Sequence, residues 1–117
     1  MITAPMFQMI QDAGEAVLIL TEAVDEAELL RSRLTRHEVK RQLCILADTL
    51  SHLPPQAHAA MPEIDWAGWR GLRTALDGVG APLDDALLFG VRSLAPATLS
   101  WLRVYRESQP ELFQAWH

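Results

Sequence analysis

Cysteine occurs once in this chain, at Cys44, so no disulfide can close within it. A lone thiol fits a reducing compartment, and a cytoplasmic location is expected. The four histidines, His37, His52, His58 and His117, show no ligand spacing, and no second cysteine joins them; no metal site is expected. The apolar run Ala16–Leu20 is far too short to span a bilayer. The start, "MITAPMFQMIQDAGEA", lacks a basic region and an unbroken apolar stretch, which argues against a signal peptide. Alternating polar–apolar stretches are missing, and so are repeats and low-complexity tracts. Without a strand there is no strand–loop–helix phosphate cradle, and "GVG" at 78–80 reads as a helix stop. Lys and Arg are absent from the first thirty residues, which hold Asp12, Glu15, Glu22, Asp25, Glu26 and Glu28. With a net charge of −5 the chain is a poor general nucleic-acid binder, because phosphate neutralisation supplies most of that affinity.

What is present points to helices. Half of the 117 residues are hydrophobic, with Leu and Ala dominant, enough for one domain over residues 1–117 with its own core. Met6, Met9, Ile10, Ala13, Val17, Leu20 and Val24 recur at steps of three and four, predicting a first helix from about Pro5 to Val24. Leu18 and Ile19 widen its apolar stripe beyond what one neighbour needs, so a second copy of the chain is an expected contact. "DEAELLRS" reads as a short helical turn or a loop. Thr35 and Glu38 have capping-box spacing for a second helix, whose stripe is Val39, Leu43, Leu46, Leu50 and Leu53 and which "LPP" ends. Asp65 is the expected N-cap of a third helix running to Gly78 and Gly80. A fourth starts around Pro82 to Asp84, with Asp84 and Asp85 suited to its dipole, and Pro96 is expected to kink or restart it. A segment from Ala97 to about Glu107 follows, carrying Leu99, Trp101, Leu102 and Tyr105, and "PELFQAWH" adds one more turn. The predicted fold is an all-α, four- to five-helix up-and-down bundle.

Two clusters carry charge beside structure. "RSRLTRHEVKR" holds five bases and one acid, with Arg36–Lys40 and His37–Arg41 in two i,i+4 rows away from the leucine stripe. Bases near a helix N-terminus oppose the macrodipole, typically by ~0.3–1 kcal/mol; either a phosphate, the acidic end of the first helix or solvent answers them. Trp66, Trp69, Arg70 and Arg73 stand at helical spacing. Such a face is ordinarily core with an arginine stacked on a ring, and it also suits an anion site.

The order "SRLTRHEVKRQLCILADTL" then "PEIDWAGWRGLR" resembles the HepT-like family, small helical proteins usually encoded beside a minimal nucleotidyltransferase. The resemblance covers nearly the whole chain: Thr35 with Val39 and Arg41, Ala47–Asp48–Thr49, Pro62 to Trp66, Leu72–Arg73–Thr74 and the region around Pro96. It implies a helical bundle related to nucleotidyltransferase substrate-binding subunits, a homodimer, a nucleotidyltransferase partner and no cofactor. In active members an arginine is followed five residues later by histidine and seven later by tyrosine, a ribonuclease site whose tyrosine the partner modifies with AMP. Counted from Arg73, those positions are Gly78 and Gly80; the family's asparagine is Thr74 and its glutamate Asp48. A guanidinium grips a phosphate, but glycine neither shuttles a proton nor accepts AMP. The resemblance therefore implies a degenerate toxin–antitoxin protein that dimerises and binds a partner, a nucleotide or RNA. Arg73, Arg70, Thr74, Asp48, Arg36 and Lys40 are its candidate binding residues, and Arg73 is the one left from the catalytic motif. The alternatives are an active ribonuclease with a rearranged site, drawing on His52 or His58, and a regulatory subunit of a nucleotidyltransferase.

Overall fold

The computed structural model describes residues 2–113. Helix α1 spans Ala4–Thr21, α2 Glu26–Arg31, α3 Arg33–Ser51, α4 Pro55–Ala60, α5 Trp66–Leu76, α6 Gly80–Phe89 and α7 Ala95–Ser108. A π-helical stretch, Gly90–Leu94, joins α6 to α7, and a 3-10 turn, Pro110–Leu112, follows. The described residues form an all-helical bundle of 43 × 25 × 20 Å. Five helices have ten or more residues; α2 and α4 are six-residue connectors. The end of "PELFQAWH", Gln114–His117, lies outside the described residues.

The stripe of α3 is the centre of the core. Val39, Leu43, Leu46, Leu50 and Leu53 are all buried, packed among Ile10 and Val17 of α1 and Leu72 and Leu76 of α5. Burying each such side chain is worth about 1.5–3 kcal/mol. On α1 the expected stripe is buried at Ile10, Ala13 and Val17, whereas Met9 is exposed. Ile19 is also exposed. On α7, Leu102 and Tyr105 go into the core, but Trp101 stays on the surface.

The start of α3 differs from the sequence expectation. Ser32, not Thr35, is its N-cap, the Thr35 N–H donating to Ser32 Oγ at 3.4 Å. Ser32 also terminates α2, so one serine serves two helices and α3 begins a turn earlier. Glu38, freed from capping, takes Arg41 Nη2 at 2.7 Å and Gln42 Nε2 at 2.9 Å. Those hydrogen bonds hold its carboxyl down at about 2. Thr3 and Asp65 cap α1 and α5 through Met6 N–H and Gly68 N–H.

Pro96 stands in the first turn of a new α-helix, α7, which a π-helical stretch separates from α6, so helical hydrogen bonding runs on from Gly80 to Ser108 with its register changed just ahead of the proline. A proline ring clashes with the carbonyl four residues earlier and brings no N–H. Here the turn ahead of it is widened: Ala95 N–H donates to Gly90 O, five residues back. Gly90 permits this turn to lie directly on its neighbours. A Cβ there would sit 2.9 Å from Leu43 Cδ1 and 3.3 Å from Leu72 Cδ2. Asp84 and Asp85 fall beyond the first turn of α6, since the helix starts at Gly80. The two ends of the described chain are tied together: Ile2 N–H donates to Leu112 O at 2.9 Å, and Phe7 meets Phe113 edge-on at 5.3 Å.

Candidate functional site

A cleft of about 380 Å³ opens where α3, α4 and α5 meet. Its apolar wall is Ala47, Leu50, Trp66 and Trp69; its polar rim is Ser51, His58, Arg70, Arg73 and Thr74. Its size and its mostly apolar lining with a few polar groups are those of small-molecule sites.

The two tryptophans play different parts. Trp69 is buried, and its indole N–H donates to Thr98 Oγ1 of α7 at 2.9 Å, locking α5 onto the last helix. Trp66 is half-buried and donates to Met61 O at 3.0 Å. The imidazole of His58 stacks on Trp66, 4.0 Å between centroids and 19° from parallel. His58 Nε2 lies 2.9 Å from Leu50 O in the last turn of α3. A carbonyl only accepts, so Nε2 carries its proton and Nδ1 is the nitrogen left to exchange one. α4 follows directly on Pro54 and sets His58 against the last turn of α3, a meeting invisible in the sequence that carries the imidazole into the cleft.

Arg73 is heavily engaged. Its Nε donates to Asp48 Oδ1 at 2.8 Å and its Nη1 to Asp77 Oδ1 at 2.9 Å. Both contacts raise its pKa, Asp77 first, so it is charged throughout. Asp48 thus serves as a clamp on Arg73, not as a free ligand group. Arg70, three residues back on the same face, is exposed and has no ion-pair partner among the described residues. Thr74 Oγ1 donates back to Arg70 O at 3.2 Å. Burial pushes the half-buried Cys44 thiol up, against the opposing pull of Arg73.

Gly78 lies in the exposed turn after α5 and the exposed Gly80 opens α6, so neither position presents an imidazole or phenol. Gly80 has φ 70°, in the left-handed region, where a residue with a side chain costs about 1–2 kcal/mol. His52 is exposed at the end of α3, its Nδ1 2.6 Å from Asp48 O, and does not line the cleft.

Arg36 and Lys40 belong to a different surface. With Arg33, Leu34, His37 and Leu83 they line a wide groove of about 640 Å³. Arg36 Nη1 is 2.6 Å from Asp84 Oδ1, an ion pair without the alignment of a hydrogen bond, and also donates to Leu30 O at 3.3 Å. The charge at the start of α3 is answered at Arg36 by α6, an internal partner that neither the phosphate nor the first-helix expectation named. Arg70, Arg73 and Thr74 therefore converge on one cleft, Asp48 stands behind it, and Arg36 and Lys40 do not reach it. Among the described residues no His, Cys, Asp or Glu group has metal-binding geometry, and no helix is long and apolar enough to cross a membrane. Comparison of the chain with protein-family models, with curated proteins and with solved structures gave no match.

Proposed function

We propose that this protein is a degenerate HepT-like binding protein whose α3–α4–α5 cleft holds a nucleotide phosphate without cutting RNA. The observation that supports this most is the pairing of an aromatic wall, Trp66 with His58, and an uncommitted guanidinium at Arg70 on one cleft. A base lies against apolar and aromatic surface while the phosphate accepts charge-assisted hydrogen bonds from Arg70. Arg73 acts mainly as a fixed positive wall, since Asp48 and Asp77 already occupy two of its edges. The resemblance adds a homodimer and a minimal nucleotidyltransferase as expected partners, in a cytoplasmic setting.

Adenosine monophosphate is the probe. Titrated into protein carrying nitrogen-15 in its indoles, it is expected to shift the Trp66 and Trp69 resonances and leave Trp101, out on α7, unmoved. Shifts at Trp101 with none at Trp66 would move the site elsewhere, and no shift at millimolar nucleotide would end the proposal.

One observation favours a second reading. His58 shares the cleft with Arg70 and Arg73, so an imidazole stands on the surface where the resemblance places a ribonuclease arginine. In that reading His58 Nδ1 exchanges the proton and Arg73 stabilises the developing charge. Two features weigh against it: the ring is committed to the Trp66 stack and the Leu50 carbonyl, and the guanidinium to two carboxylates.

A further inference from the structure

We infer that the basic groove at the start of α3 receives the acidic α1–α2 corner of a second copy of the chain, in a two-fold dimer. The inference rests on the dimer in the functional reading above and assigns a surface to it, separate from the α3–α4–α5 cleft.

The groove is both cationic and apolar. Arg33, His37 and Lys40 border it, and Leu34, 86% exposed, stands among them. Two carboxylates that reach this stretch of α3 are already used, Asp84 by Arg36 and Glu38 by Arg41. Arg33 and Lys40 have no ion-pair partner among the described residues. An exposed leucine ringed by unpaired bases calls for an occupant that brings acids together with an apolar side chain.

The same chain presents that combination. The end of α1 and the start of α2 carry Glu22, Asp25 and Glu28, all exposed, next to Ile19, which is 66% exposed. Asp25 is spent on capping α2 and Glu26 on Arg92, which leaves Glu22 and Glu28 without a cation among the described residues. Corner and groove adjoin, because Ser32 both ends α2 and caps α3, and Arg36 reaches back to Leu30 O. Adjacent patches of opposite sign are self-complementary. A two-fold rotation sets each corner in the other copy's groove, makes two identical contacts and closes the assembly.

A nucleic acid fits the groove less well. The acidic corner beside it repels phosphate, no Trp, Tyr or Phe lines it for bases to stack on, and a phosphate backbone offers nothing to Leu34.

Sedimentation of the full chain at micromolar concentration tests the assignment. A dimer is expected at about 50 mM salt and weaker association, by at least about tenfold, at about 500 mM, where charges are screened beyond a few ångströms. The paired substitutions Arg33→Glu with Lys40→Glu, and separately Glu22→Arg with Glu28→Arg, are each expected to give monomers of unchanged helicity. An equimolar mixture of the two variants is expected to restore a dimer, since their reversed charges again match. Dimers that survive both reversals would move the interface elsewhere while leaving a dimer in place. A mixture that stays monomeric would overturn the pairing. A monomeric wild type would remove the dimer altogether, and RNA binding lost in the Arg33–Lys40 variant would reassign the groove to nucleic acid.

Discussion

Alanine at position 70 is expected to weaken adenosine monophosphate binding by at least about tenfold. A hydrogen bond to a charged group is worth about 1.5–3 kcal/mol, and 1.4 kcal/mol is a factor of ten in affinity. The prediction singles out Arg70 because it is exposed at the rim of the cleft and unpaired among the described residues, while Arg73 is held by Asp48 and Asp77. The opposite sign is expected for Asp77→Asn. That change removes a negative charge near the phosphate and frees one edge of Arg73, so binding should tighten by about threefold, the scale of an exposed ion pair. Calorimetric titration of the two variants reads both effects. Equal affinity in wild type and Arg70→Ala, or weaker binding in Asp77→Asn, would show that the anion sits elsewhere.

Trp69→Ala is expected to be the most destabilising single change at the site, at about 3–5 kcal/mol, the usual cost of truncating a buried aromatic. Trp69 fills the space between α3, α5 and α7 and carries the cleft's back wall. Its hydrogen bond adds a second component. Thr98 is only 2% exposed, so Trp69→Phe leaves a buried hydroxyl without its donor, at about 1–3 kcal/mol. Removing both partners with Trp69→Phe and Thr98→Val should cost less than the sum of the single changes. Urea unfolding of the four proteins closes this cycle. Additive losses would mean that the Trp69–Thr98 bond contributes nothing of its own.

The residues that packed as their spacing implied are those governed by helical period alone. Val39, Leu43, Leu46, Leu50 and Leu53 recur at three- and four-residue steps and have no alternative burial. Asp65 capped its helix for a local reason, a carboxylate one turn ahead of a free N–H. The features that the sequence hid depend on contacts between distant segments. Ser32 outcompeted Thr35 as a cap because α2 packs end-on to α3, which a capping-box spacing does not register. Pro96 was tolerated because Gly90, six residues earlier, lets a widened turn settle on Leu43 and Leu72. The Trp–Arg cluster divides: Trp69 is core, while Trp66 and Arg70 face the cleft. His58 joins them only through its hydrogen bond to Leu50 O at the end of α3, and Asp84 of α6 meets Arg36 across more than forty residues. Pairings so far apart along the chain leave no periodic trace.

The cleft and the turn after α5 together define the central claim: this surface grips a phosphate and leaves the RNA chain intact. Incubating purified protein with single-stranded RNA, beside an Arg73→Ala control, tests it most directly. The account predicts that wild type and variant leave the RNA equally intact, because Gly78 and Gly80 supply no proton carrier and His58 spends its Nε2 proton on Leu50. Cleavage by the wild type that disappears in Arg73→Ala, and that also falls with His58→Ala, would contradict it and make the cleft a working ribonuclease.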